Sequence, residues 1–363
     1  MKPKNSTNEN MYSLSLILND CATIAGLLQN SRNPILSMMA LPYVALFCVE
    51  AENYLNIELL NGEYAKDITD IRNAIKIYGE RFARSSKRFL SADFSQDSIF
   101  GNKLLYKCMR KLNIHYNLGV YCDEYGNVVG NTQLIEDTLA LKWLNDEQRS
   151  IKSFEIGKEM GEAVGKLLTS FGHKRLPRIE IHNNLPVLYY IDANTNRKKS
   201  IFLKGYNKKV NLLILHMLSN LGFVNNLLSK LLPKDSLWLF RVRYVVTYYS
   251  LLGIEKMRNY LIKKYGKTDT VAIECERYIA KRNDLFNSDF RSCMMHYGLC
   301  NGEDYLIKDE YNDVSKNFYG LIESCYEGKT FEQLNYEIIM FGKELEKFLS
   351  KQLSIDKNQL EKL

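Results

Sequence analysis

Apolar residues recur every three or four positions along most of this chain, and this spacing is the strongest constraint on its fold. One face of an α-helix repeats at the same interval, so the pattern predicts amphipathic helices that pack on one another. Gly62, the Ser91 to Ser98 stretch and Gly119 interrupt the pattern. The helices predicted before Gly119 cover residues 12–30, 35–60, 66–90 and 101–117.

The periodicity changes between residues 119 and 204. An Asp-Glu-Tyr-Gly-Asn turn, residues 123–127, lies between two short β-prone runs. Residues 186–192 and 200–204 are also β-prone and flank a turn-rich segment, so we expect a small β-hairpin around 178–204. Helical spacing then returns in segments 212–232, 237–252, 254–265, 270–282 and 331–353.

These patterns predict a mainly α fold of antiparallel helical bundles with a small β-hairpin insertion. A length of 363 residues is enough for more than one domain. We place the predicted boundaries at 1–135 for an N-terminal helical domain, 136–204 for a connecting region and 205–363 for a C-terminal helical domain.

Composition narrows the function only slightly. A formal charge of +7, from 49 basic and 42 acidic residues, permits an anionic partner such as RNA. Eight scattered cysteines form no paired framework, which favours a reducing compartment, and no secretory signal is visible, so we expect a cytoplasmic protein. The longest apolar run, 34–49, is shorter than a bilayer span and contains Pro42, which predicts a core helix and no membrane anchor.

One short phrase occurs twice. Arg110 to Leu118 and Arg291 to Leu299 both read Arg-x4-His-Tyr-x-Leu, in a chain with only five histidines. Imidazole transfers protons near neutral pH and guanidinium holds two phosphate oxygens, so the pair suits chemistry on a phosphodiester.

The surroundings of the second copy predict a short helix. Asn287-Ser288-Asp289 is a helix-start signal, and Gly298 can end the helix just past His296. On a regular helix, Arg291 and His296 would point about 140° apart. One copy alone is therefore a poor site, whereas two facing copies would place Arg110, His115, Arg291 and His296 around one phosphate.

The motif and its helical setting resemble the HEPN superfamily of prokaryotic ribonucleases. The residues that carry the resemblance are Phe290 to Leu299, Phe318 to Glu323 and Thr330 to Leu334. The resemblance covers about residues 205–352, and a weaker one covers about 12–130. Members act as toxins, abortive-infection proteins or CRISPR nucleases, and they pair domains or dimerise to form the active site.

The resemblance implies RNA cleavage that needs no metal or other cofactor. A histidine takes the proton of a ribose 2′-hydroxyl, and that oxygen attacks the adjacent phosphorus to leave a 2′,3′-cyclic phosphate. It assigns catalysis to Arg291, His296, Arg110 and His115 in this chain. The implied partners are RNA and either a second copy of the chain or the other half of the same chain, with an unknown antitoxin or effector as a further candidate.

The residue after the arginine departs from the family pattern, in which Asn, Asp or His is usual. Here it is Lys111 in the first copy and Ser292 in the second, so the second copy is expected to carry more of the catalysis. We assign substrate contacts to Ser292, Tyr297 and Lys111. Arg72-Asn73 has the favoured dipeptide, but no histidine follows it, and it is interpreted as an ordinary surface pair.

Three alternatives use the same residues or their neighbours. The chain can be a catalytically silent HEPN-like module that recruits or regulates a partner. Cys293, His296 and Cys300 offer three zinc ligands without a fourth. A basic cluster between Lys198 and Lys209, with Phe202 and Tyr206 inside it, suits either a nucleic-acid backbone or a solvated hairpin edge.

Overall fold

The computed structural model describes residues 6–30, 33–101, 104–111, 116–171, 181–182, 186–195, 201–202, 205–302, 304–355 and 359–363. The protein is mainly α-helical with a small antiparallel sheet, which confirms the predicted fold class. The helices before the sheet region and within it are α1 (Ser6–Asn30), α2 (Pro34–Leu55), α3 (Ala65–Ala74), α4 (Phe82–Gly101), α5 (Leu104–Lys111), α6 (Thr132–Thr138) and α7 (Asp146–Phe171).

The C-terminal half is again helical, as the spacing predicts. Its helices are α8 (Lys208–Gly222), α9 (Ser229–Leu231), α10 (Leu237–Tyr265), α11 (Thr270–Ala280), α12 (Arg282–Leu285), α13 (Ser288–Met295), α14 (Leu321–Cys325) and α15 (Phe331–Ser350). A π-helical segment, Phe223–Leu228, joins α8 to α9, and a capping box of Thr330 and Gln333 starts α15.

Two predicted helix boundaries are wrong. The segment 66–90 breaks after Ala74, passes through a 3₁₀ turn at Ile77–Gly79, and resumes as α4, which runs through the serine-rich stretch expected to end a helix. Conversely, α10 continues through Gly253, where a break was expected. A Cβ there would lie 2.5 Å from the Met217 sulfur, so this glycine lets α8 approach α10 closely.

The sheet differs from the predicted hairpin in its pairing. Strand β1 (Leu118–Asp123) forms the expected hairpin with β2 (Val128–Asn131), and β3 (Leu188–Ala193) is a strand as predicted. However, β3 pairs along its whole length with β1, and Phe202 bridges Leu353. A pairing of residues about 70 positions apart leaves no local sequence signal, so the sequence pattern does not predict it.

Three short strands form the remaining pairings. Strands β4 (Cys300–Asn301) and β5 (Asp304–Tyr305) form a two-stranded ribbon directly after the second motif. Strand β6 (Glu361–Lys362) adds to β3, so the larger sheet has the order β2-β1-β3-β6 with antiparallel neighbours.

A single hydrophobic cluster connects the segments that flank the sheet. It runs from Tyr12 on α1 to Leu353 after α15, and α10 lies in its middle with Trp238, Phe240 and Tyr244 fully buried. The N-terminal helices and the second motif helix therefore share one core, which brings residues from both halves within contact distance.

Within the residues that the structure describes, three helical stretches are long and apolar enough to cross a membrane by length and composition alone. They span Asn10–Gln29, Pro34–Leu55 and Lys208–Leu231, and 50%, 72% and 78% of their apolar windows are buried inside the protein. The apolar helix around Pro42 is longer than the predicted run 34–49, because α2 continues through the proline to Leu55. The absence of a membrane anchor stays a prediction.

Gly222 makes a close contact that can be tested. A Cβ at this position would lie 1.8 Å from the carbonyl oxygen of Val128, so Gly222→Ala must displace the β1–β2 hairpin from α8. We expect a loss of about 1–3 kcal/mol in the free energy of unfolding, measured by urea denaturation. The matched control, Gly157→Ala on α7, meets no described atom within 4 Å and should stabilise the protein by up to about 1 kcal/mol. Equal stability of the two variants would contradict the packing.

Candidate functional site

The second motif begins on a short capped helix and ends outside it. The Asn287 side chain accepts hydrogen bonds from the backbone N–H groups of Asp289 and Phe290, both at 2.9 Å, which confirms the predicted helix start. Helix α13 ends at Met295, and His296 has an extended backbone with φ −138° and ψ 168°. Because His296 has left the helix, the 140° offset of a regular helix does not apply to it.

The imidazole of His296 is bonded to a buried carboxylate from the N-terminal half. His296 Nδ1 lies 2.6 Å from Glu50 Oε2, and the imidazole side chain is 45% exposed. The other carboxylate oxygen, Oε1, accepts hydrogen bonds from the guanidinium of Arg72, with Nε at 2.8 Å and Nη2 also in contact. A carboxylate thus connects α2, α3 and the end of the motif helix.

The interpretation of Arg72-Asn73 as a surface pair is wrong for the arginine. Arg72 is buried and forms an ion pair with Glu50, while its Nη1 donates to Asn73 Oδ1 at 3.0 Å. The sequence signal for this ion pair is Glu50 itself, a carboxylate within the apolar helix α2, because a buried charge needs a partner. The sequence does not say which of sixteen arginines that partner is.

The Glu50 environment determines which nitrogen of His296 carries the proton. Burial raises the pKa of Glu50, but the hydrogen bond from His296 and the charge of Arg72 outweigh it and leave the pKa below its ordinary value. The ionised carboxylate accepts a hydrogen bond from Nδ1–H, so in the neutral imidazole Nε2 carries the lone pair. The hydrogen bonds therefore assign Nε2 as a proton acceptor on a partly exposed ring.

Two further cations lie near this pair. Burial and the charge of Arg72 lower the pKa of Lys76, and the charge of Arg291 also lowers it while Glu50 opposes the shift. The Arg291 guanidinium lies over the Tyr248 ring at 5.8 Å, and within the described residues its buried Nε has no hydrogen-bond partner.

Tyr249 connects Arg291 to Arg72. Burial raises the pKa of the Tyr249 hydroxyl, and the charge of Arg291, a hydrogen bond with Arg291 and the charge of Arg72 all partly offset that rise. Arg72 is compensated by Glu50, while Lys76 and Arg291 each act electrostatically on neighbours of that ion pair.

Tyr297 lies in the core behind this site. Its side chain is 3% exposed, and its hydroxyl donates to Asp20 Oδ2 at 2.7 Å. Arg241 lies 2.9 Å from the same carboxylate oxygen and donates through Nη1 to the carbonyl of Cys293 at 2.8 Å. Burial raises the pKa of Asp20 even though Arg241 lowers it. These contacts favour a supporting role for Tyr297 over the substrate contact predicted from the sequence.

The different roles of His296 and Tyr297 follow from their backbone. The two residues are adjacent in sequence, yet one ring is half-exposed and the other is buried, because the chain leaves the helix at Met295 in an extended conformation. Extended backbone turns successive side chains to opposite sides. The histidine consequently bonds to Glu50 with its ring partly exposed, and the tyrosine packs into the core.

The first motif copy is only partly described. Lys111 is exposed at the end of α5, whereas the Arg110 side chain and all of His115 lie outside the described residues. Ser292 is half-buried on α13, and its carbonyl accepts the backbone N–H of His296 at 2.9 Å. Convergence of the two copies stays a prediction.

The zinc alternative has no support in the geometry. In the part of the chain that the structure describes, no three His, Cys, Asp or Glu side chains are grouped to hold a metal ion. Burial also raises the pKa of Cys293 to about 12, which disfavours the thiolate that zinc requires.

Comparison of the chain with protein-family models, with curated proteins and with solved structures finds no match. The fold and the site define a mainly α-helical protein with a histidine oriented by a buried carboxylate.

Glu50 is predicted to stabilise the fold through its charge. Removing it in Glu50→Gln leaves Arg72 buried without a counter-ion, which should cost about 3–5 kcal/mol at neutral pH. Because the folded pKa lies below the ordinary 4.5, the stabilisation is complete above about pH 4.5 and is lost as pH falls through the folded value. Urea denaturation between pH 3 and 7 should therefore show a shallower acid decline in the variant.

Glu58→Gln is the matched control for this measurement, because Glu58 is exposed on the loop after α2. It should change the free energy of unfolding by no more than about 0.5 kcal/mol. A Glu50→Gln protein as stable as this control would show that the ion pair contributes nothing.

Proposed function

We propose that this protein is a HEPN-like, metal-independent endoribonuclease of a defence or toxin system. The observation that carries the proposal is the 2.6 Å contact between Glu50 and His296 Nδ1, which orients a half-exposed imidazole beside the buried Glu50–Arg72 ion pair. Proton transfer and phosphate binding are the two tasks that cleavage of RNA beside a 2′-hydroxyl requires.

The proposed reaction is an internal transesterification. His296 Nε2 takes the proton of a ribose 2′-hydroxyl while the bond from the 2′ oxygen to phosphorus forms. The bond from phosphorus to the 5′ oxygen breaks, and that oxygen takes a proton from water at the exposed side of the site. The hydroxide that remains takes the proton from the His296 imidazolium, which restores the neutral base. The products are a 2′,3′-cyclic phosphate and a 5′-hydroxyl, and DNA is inert because it lacks the attacking oxygen.

The remaining residues act by position and charge. Arg291 and Lys76 steady the non-bridging phosphate oxygens as negative charge develops. The Glu50 carboxylate, held by Arg72 through Oε1, orients the imidazole through Oε2 and stabilises the imidazolium that forms. Glu50 is a positioning residue, because it acts on the substrate only through His296.

The alternative is a catalytically silent module that keeps the fold and recruits a partner. The buried contacts of Tyr297 with Asp20 and of Arg241 with the Cys293 carbonyl favour the silent module, because they show motif residues that stabilise the fold. Purified protein incubated with total RNA in EDTA separates the two proposals. Cleavage that resists EDTA supports the enzyme, and intact RNA supports the module.

His296→Ala and Arg291→Ala should each abolish RNA cleavage in a protein that stays folded, and His296→Ala should cost about 1–3 kcal/mol in the free energy of unfolding because it removes a hydrogen bond to the buried Glu50. Loss of the general base alone typically costs about 10²–10⁴-fold in rate. The measurement is the initial rate on one RNA at equal folded concentration, with end-group analysis for the cyclic phosphate. His182→Ala is the matched control, since His182 is an exposed histidine, and it should retain full activity.

The two motif copies are expected to contribute unequally. Because His296 has its orienting carboxylate, His296→Ala should reduce the rate more than His115→Ala does on the same RNA. Equal losses would favour one symmetric site that both copies form, within one chain or across a homodimer. A larger loss from His115→Ala would overturn the assignment of His296 as the principal base.

A further inference from the structure

A cleft separate from the second motif lies between α8, α15 and the turn of the β1–β2 hairpin. It has a volume of about 400 Å³, which is in the range of small-molecule sites. Leu218 and Val128 line it as buried apolar residues, whereas Lys343 and Lys347 line it as exposed cations. Among the described residues that line the cleft, none belongs to the motif or to the group around Glu50. The cleft is therefore a candidate site of its own.

One wall of the cleft carries a carboxylate that two neutral amides hold in place. Glu346 of α15 lines the cleft and is half-buried. Its Oε2 accepts a hydrogen bond from Asn225 Nδ2 at 3.0 Å, and its Oε1 accepts one from Asn226 Nδ2. Both asparagines lie in the π-helical segment Phe223–Leu228, and π-helical turns are rare and frequently occur at functional sites. The amides orient the carboxylate without cancelling its charge.

The Glu346 carboxylate is only partly compensated by its neighbours. Burial raises its pKa, the hydrogen bonds from the two asparagines and the charge of Lys343 offset part of that rise, and the charge of Asp123 adds to it. An ionised carboxylate has about four lone-pair positions, so each Glu346 oxygen can accept a further hydrogen bond. An ammonium group bound there would supply the missing positive charge.

Opposite charges of α15 lie close together in the cleft without pairing. Lys343 precedes Glu346 by three positions, so their side chains are neighbours on the helix surface. In the part of the chain that the structure describes, however, Lys343 and Lys347 form no ion pair, and the Glu346 oxygens bond to the asparagines instead. Both signs of charge therefore stay available to a ligand.

The remaining charges around the cleft favour a ligand that carries both signs. Asp123, before the hairpin turn, has a charge that reaches Glu346. Glu124 is compensated by Lys230, whose Nζ lies 3.7 Å from its Oε1. The two lysines of α15 are thus balanced by the carboxylates of Glu346 and Asp123. A zwitterion fits this balance better than an anion or a cation does, because complementary charges then meet on both sides.

We infer that this cleft binds a free α-amino acid with an apolar side chain. The ammonium group of the amino acid bonds to Glu346, and its carboxylate lies against the ammonium groups of Lys343 and Lys347. Its side chain packs on Leu218 and Val128. Side chains three positions apart on a helix are about 5–6 Å apart at Cβ, which matches two charged groups carried by one carbon atom. The inference does not depend on the ribonuclease activity proposed for the motif.

An NMR titration of the whole chain with L-leucine and L-phenylalanine tests the site. At about pH 6.5 the α-amino group is protonated, and at least one of the two should bind with a Kd of about 1 mM or tighter. N-acetyl-L-leucine lacks the ammonium group and L-leucinamide lacks the carboxylate. Each should bind roughly 10-fold or more weakly than L-leucine, because a hydrogen bond between charged groups is lost. Binding of neither amino acid, or equal binding of L-leucine and either analogue, would overturn the inference.

Substitutions on α15 test where the two charged groups bind. Glu346→Gln should weaken binding of the tighter amino acid roughly 10- to 100-fold. The double variant Lys343→Gln with Lys347→Gln should weaken it about 2- to 30-fold, because both lysines are exposed. Glu344→Gln is the matched control, since Glu344 lies on the same helix, pairs with Lys281 and does not line the cleft, and it should bind like the parent.

The lysine variant keeps the test decisive if Glu346→Gln does not fold. Glu346 also holds the π-helical segment, whereas the two lysines are exposed and their replacement should leave the fold intact. Unchanged affinity of the folded lysine variant would refute the inference. His296→Ala should bind the amino acid like the parent, and loss of binding in that folded variant would refute a cleft that is separate from the motif.

Discussion

The buried ion pair of Glu50 and Arg72 is the interaction on which the candidate site depends. A carboxylate inside a protein is stable only when its charge is compensated and its oxygens accept hydrogen bonds. Arg72 satisfies one oxygen, and the second is left to accept from His296. The pairing therefore fixes α2 against α3 and at the same time holds the imidazole with Nδ1 inward and Nε2 outward.

A second buried ion pair, Asp20 with Arg241, holds Tyr297 of the motif in the core. Asp20 on α1 holds Arg241 on α10 and the hydroxyl of Tyr297, and Arg241 continues to the carbonyl at Cys293. Asp20 and Glu50 both lie on helices that are apolar enough to be compared with membrane spans, and both have their partners inside the protein. The two pairs hold the residues after α13 between the N-terminal helices and α10.

Local patterns in the sequence are sufficient to predict most of the helices, the β1–β2 hairpin and the start of α13. These features depend on nearby residues: apolar spacing, a turn, and the Asn287 cap. The repeated Arg-x4-His-Tyr-x-Leu phrase is also local, and it is enough to single out Arg291 and His296 as candidate site residues. The resemblance to HEPN ribonucleases rests on the same motif.

Only the tertiary structure decided which residues surround His296. Glu50, Arg72 and Lys76 lie more than 200 positions away in the sequence, and no periodicity connects them to the motif. Their convergence results from packing α3 on α2, and α13 on α10, around one core, with Glu50 of α2 paired to Arg72 and to His296 where these segments meet. The pairing of β3 with β1 and the break of α13 before His296 depend on the same long-range contacts, which a local pattern cannot encode.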